Sequence, residues 1–149
     1  MAKRTALRTA DVPQADDLQT VRAVVKAAGS GGGVTAEIEQ RTGYSDRHVR
    51  YRMQAARILG FVDVNRKVTG LGRRLLQTSP GGDAERQVFR EAIEASPPIK
   101  ALAPRLTRAE EPDVASLCLH LQAHAGLSPA TAERRARVLR SWWRQTTQP

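Results

Sequence analysis

Arg47, Arg50, Tyr51 and Gln54 fall three or four residues apart, the spacing at which side chains share one face of an α-helix. Two guanidinium forks, a phenol and an amide on one face can donate to base edges and phosphates. The major groove of a DNA duplex admits one helix of this diameter. Arg50 is the candidate for a guanine contact. Arg41, Ser45, Arg57, Arg66, Lys67 and Arg73 lie close to these four along the chain, and their cations and hydroxyl suit phosphate oxygens.

A helix must hold this set. Val49, Met53, Ala56 and Leu59 recur at helical spacing, so the pattern predicts a helix over 46–59 whose apolar side packs on the body of the domain. Gly43 closes the helix before it through a left-handed residue, and Ser45 caps it by accepting from a free backbone N–H. Gly60 stops it. Residues 61–64 and 67–69 then read as two short strands joined at Asn65-Arg66, a small β-hairpin wing with Arg66 and Lys67 at its tip. Upstream, Asp16 and Asp17 favour a helix start, and Leu18, Val21, Val25 and Ala28 form the buried stripe of a first helix. The run Gly29-Ser30-Gly31-Gly32-Gly33 ends that helix. It is followed by no Gly-Lys-Ser/Thr and preceded by no strand, so it lacks the parts of a nucleotide cradle. Thr35 is expected to cap a short second helix with Ile38 inward. Residues 1–14 read as a disordered arm.

Composition agrees with a folded, basic, mostly helical protein. In 149 residues the hydrophobic content is 40% but aromatics are only 4%, so the core must be mostly Val, Leu, Ile and Ala. The net charge of +9 favours a polyanionic partner, of which nucleic acid is the commonest. That charge is concentrated: residues 41–74 hold nine Lys or Arg against Asp46 and Asp63, whereas 83–113 hold five against seven acidic residues. Arg outnumbers Lys by 20 to 4, which suits phosphate and guanine geometry and equally follows from a G+C-rich genome. Cys118 is the single cysteine, so neither an internal disulfide nor a cysteine-rich zinc site is expected. No run is long and apolar enough to span a membrane, and the first ten residues lack the apolar core of a signal peptide. A cytoplasmic location fits.

The break at Ser79-Pro80-Gly81-Gly82 divides a unit over 15–79 from a C-terminal helical unit over 83–147. In the second unit Val88, Phe89, Ala92 and Ile93 form one stripe. Pro97 and Pro98 are expected to end that helix, and Pro112 to open another with Val114, Leu117, Cys118, Leu121 and Ala125 inward. At an offset of 83 residues, Gly43-Tyr44-Ser45 falls on Gly126-Leu127-Ser128, and Arg52 falls on Arg135. Each turn opens a long Arg-rich helix. One reading is a second helix-turn-helix presenting Ser128, Thr131, Arg134, Arg135 and Arg137; the other is ordinary capping between packed helices.

The turn Gly43-Tyr44-Ser45, the helix end Ile58-Leu59-Gly60-Phe61-Val62 and the exit Val68-Thr69-Gly70-Leu71-Gly72-Arg73 resemble the winged helix-turn-helix superfamily over roughly residues 15–79. Further stretches are similar to tandem winged-helix modules attached to restriction and phage-defence proteins. They are Leu71-Gly72-Arg73, then Val88-Phe89-Arg90-Glu91-Ala92-Ile93, then Ser128 through Thr131-Ala132-Glu133-Arg134-Arg135 to Trp142. The resemblance implies an all-α fold with a small wing and base-reading roles for Arg47, Arg50, Tyr51 and Gln54. It also implies service as a transcriptional regulator or as the DNA-targeting subunit of a defence system.

Catalysis is not expected. His120 and His124 stand four apart near Cys118, but two histidines make an incomplete metal shell, and Pro112-Asp113 finds no later Lys to complete a nuclease pattern. No cofactor is implied. The expected partner is double-stranded DNA. The alternative is a protein-interaction or dimerisation module, using the Trp142-Trp143 pair and the near-neutral middle segment, as a homodimer or a subunit of a larger complex.

Overall fold

The computed structural model describes residues 12–148 and contains, among them, eight α-helices, one 3₁₀ turn and no sheet. Residues 1–11 of the expected arm lie outside the described residues, while Val12 and Pro13 are buried. Helix α1, Leu18–Gly31, starts where the Asp17 carboxylate accepts from the Gln19 N–H and ends at Gly32 with φ 77°. Helix α2, Thr35–Thr42, ends at Gly43, also at φ 77°. Ser45 then accepts from the His48 N–H at 3.3 Å and starts α3, Asp46–Ile58. A left-handed glycine followed by a serine cap turns the chain within three residues, because each satisfies backbone groups that a helix end leaves open.

Two local expectations change. Thr35 does not cap α2: Val34 holds the cap position without a side-chain bond, and the Thr35 hydroxyl instead accepts from Arg66 at 2.6 Å. Pro97 and Pro98 do more than end a helix, since Pro97 also opens α6, where a missing N–H removes no bond.

The β-hairpin wing is absent, and the fold is all-α without it. Among the described residues a single isolated bridge joins Val62 to Val68. The Asp63 carboxylate accepts from the N–H groups of Asn65 and Lys67 at 2.8 and 3.0 Å, folding the segment into a tight loop before a ladder can extend. Arg66 adopts φ 61°, outside strand geometry. Thr69 then caps α4, Gly70–Leu76, by accepting from the Gly72 N–H. Too few residues remain on either side of the turn for two strands. Gly72 makes the return tight, for a Cβ there would run into the Phe61 carbonyl oxygen and the Val68 side chain.

Helices α5, Asp83–Ala95, and α6, Pro97–Leu102, lead through the 3₁₀ turn Pro104–Thr107 to α7, Val114–Ala125, and α8, Pro129–Thr147. Helix α1 packs on α2, α3 and α4, while α5 bridges α4 and α8, and α7 pairs with α8. The buried apolar residues form one cluster that includes Val12, Val25, Met53, Phe61, Phe89, Leu121 and Trp142. Ser96 joins its parts by donating to the Ile58 carbonyl at 2.7 Å, satisfying the end of α3.

Polar groups fix the same arrangement. Trp142 donates to the Ala15 carbonyl at 2.8 Å and Trp143 to the Arg108 carbonyl at 3.0 Å, so this pair is internal and offers no docking surface. Arg22 on α1 meets Glu85 on α5 at 2.7 Å, with side chains only 10% and 4% exposed. Both ions have further partners. Arg22 also donates to Thr78, and Glu85 accepts from Gln19 and Gly81, as buried charges require. No helix among the described residues is long and apolar enough to cross a membrane.

Candidate nucleic-acid interface

Helix α3 is amphipathic in the expected register. Val49, Met53 and Ala56 are buried together with Ala55 and Ile58, which fixes the helix and leaves its other side outward. Arg47, Arg50 and Arg57 are exposed, and Tyr51 and Gln54 are half-buried. Arg47 donates through Nε to the Tyr51 hydroxyl at 2.9 Å, and its guanidinium lies 5.3 Å from the centre of that ring. The contact holds two donors side by side. Arg50 is 3.1 Å from the Asp46 carboxylate, one turn earlier, with both side chains about three-fifths exposed (62% and 59%). Such a pair is weak and exchanges readily for another anion.

The loop after α3 runs alongside it. Arg50, Gln54 and Arg57 share a groove with Asp63, Val64 and Arg66. Arg66 is not a free tip cation, because its guanidinium donates to the Thr35 hydroxyl and the Gly33 carbonyl at 2.6 and 3.4 Å. Gly33 must be glycine for this approach: it has φ 84°, and a Cβ would stand 2.8 Å from that of Arg66. Lys67 and Arg73 are exposed and, with Lys26, line a second groove on the other flank of the loop. Arg73 donates to the Val68 carbonyl at 3.2 Å. Arg41 pairs with Glu37 at 3.5 Å. The Ser45 hydroxyl oxygen accepts the capping bond from the His48 N–H.

The second turn repeats the first in backbone geometry. Gly126 has φ 66°, and Ser128 accepts from the Thr131 N–H with φ −64° and ψ 157°, against −69° and 162° at Ser45. Arg52 and Arg135 occupy matching positions, and in each Nε is buried without a hydrogen-bond partner. Arg52 stacks over Tyr44 at 4.5 Å, so that tyrosine braces the turn from inside. Burial lowers the Arg135 pKa from its ordinary value, the like charge of Arg134 adds to this, and Tyr51 acts in the opposite sense. Arg135 nonetheless stays a cation at neutral pH. Arg134 is exposed and donates to the Thr131 hydroxyl at 3.3 Å, while Arg137 pairs with Glu133 at 3.0 Å.

No protein-family model, curated protein or solved structure matches this chain.

The functional reading therefore rests on geometry. Sequence reasoning missed the structural roles of Arg52, Arg22 and Arg66. For Arg52 a signal was present, since it lies three residues after Val49 and four before Ala56, at the edge of the apolar stripe. Arg22 carried a similar signal four residues after Leu18. Arg66 carried none, because its partners are more than 30 positions away. His120 and His124 stack at 4.2 Å, and the His120 Nε2 lies 3.0 Å from the Ala101 carbonyl.

Proposed function

We propose that this protein binds double-stranded DNA by laying α3 in the major groove. The observation that carries the reading is the face of α3. It is anchored by five buried apolar residues and carries the exposed Arg47, Arg50 and Arg57 with the half-buried Tyr51 and Gln54 beside them on a single short helix. Arg50 exchanges Asp46 for a guanine edge, which offers two acceptors to its fork. Arg41, Arg57, Lys67 and Arg73 hold phosphates. Ser45 contributes through the positive end of α3 that it caps, and Arg66 holds the adjoining loop in place. Arg134 and Arg137, exposed on α8, would add cations, with Thr131 and Ser128 at that helix start. A binding role of this kind serves transcription control or delivery of a defence complex to DNA.

Selection of duplexes from a random pool is the direct test. A recovered motif containing guanine, lost with Arg50→Ala, supports the reading; recovery of unselected sequence contradicts base reading by α3. A protein-interaction role is the second reading, and Leu119 on α7, 67% exposed, is the observation that favours it.

A further inference from the structure

Val64 is 81% exposed, more than the other large apolar side chains exposed among the described residues. It is also held in place. The flanking Asp63 carboxylate accepts from Asn65 and Lys67, the Asp63 N–H donates to the Lys67 carbonyl at 2.9 Å, and Arg66 is clamped to Gly33 and Thr35. A loop braced on both sides of one residue presents that residue without a further ordering cost on binding. Val64 shares its groove with Arg50, Gln54 and Arg57, the central and later part of the α3 face. An apolar side chain has nothing to offer a phosphate, and most of a base edge is polar. The exception in the major groove is the C5 methyl of thymine.

We propose that Val64 contacts the C5 methyl group of a thymine in the duplex held by α3, and so adds a T to the sequence next to the guanine read by Arg50. This rests on the reading of α3 as the DNA-contacting helix. Burying one such group is worth about 0.8 kcal/mol, or roughly fourfold in affinity.

The test uses a duplex selected by the full chain, with each thymine replaced in turn by deoxyuridine, which deletes only the methyl group. Fluorescence anisotropy is measured for the unaltered protein and for Val64→Ala, a change at an exposed position that leaves the core intact. The expected result is one position where deoxyuridine weakens the unaltered protein about fourfold and leaves Val64→Ala unchanged, since the two deletions remove the same contact. If no position responds, or if both proteins lose equally at every position, the assignment of Val64 is overturned while DNA binding stands. If neither protein binds any duplex, the reading of α3 itself has failed.

Discussion

Arg50 and Lys67 are both exposed cations beside the same loop, and substituting them has different consequences. Arg50 lies on the outward face of α3 and in the proposed complex would face bases, so Arg50→Ala is expected to cost about 1–3 kcal/mol on the preferred duplex and to flatten discrimination at one position. Lys67→Ala would remove a proposed phosphate contact and is expected to weaken all duplexes alike. Competition titrations with preferred and scrambled duplexes separate the two, and identical behaviour would remove the base-reading role from α3. The outward set was legible because helical spacing depends only on sequence separation. Arg66 was misread for the opposite reason. From the sequence it stands at a tip beside Lys67, but its left-handed backbone turns the side chain toward Thr35, a partner that no local pattern encodes.

At the scale of elements, capping chemistry made most boundaries readable: Gly43, Ser45 and Ser128 each satisfy backbone groups within four residues of themselves, and Gly126 ends α7 in the left-handed region. The loop at 61–69 was not readable in this way. Alternation suggested strands, yet the Asp63 side chain takes the N–H groups that a ladder needs, and the immediate start of α4 leaves no length to pair. Gly72 sets how close α4 comes to that loop. Gly72→Ala is expected to destabilise by about 1–3 kcal/mol through overpacking, seen as a lower midpoint in urea unfolding with little change in slope. A midpoint equal to that of the unaltered protein would mean that α4 does not hold this position.

Across the whole molecule, a few long-range polar contacts join the N-terminal helices to α5 and α8. Removing one member of the Arg22–Glu85 pair, as in Arg22→Met, strands a buried carboxylate and is expected to cost about 3–5 kcal/mol. The double replacement Arg22→Met with Glu85→Met should cost less than the sum of the single changes, and additive losses in urea unfolding would show that the two side chains act separately. Glu111, by contrast, lies at the surface; its hydrogen bond from Arg144 lowers its pKa, so the small contribution of that contact is present above the ordinary carboxylate range and fades as pH falls through the lowered value. The sequence made the charge asymmetry plain but not its arrangement, because the buried Arg22 and the half-buried Arg135 count toward +9 as fully as the exposed cations do. The central claim is that the exposed cations of α3, its flanking loop and α8 hold a DNA backbone. The affinity for a random duplex measured against salt concentration tests it most directly. Neutralising about six phosphates predicts a slope of log affinity on log salt near −5, and a slope near zero would contradict the account.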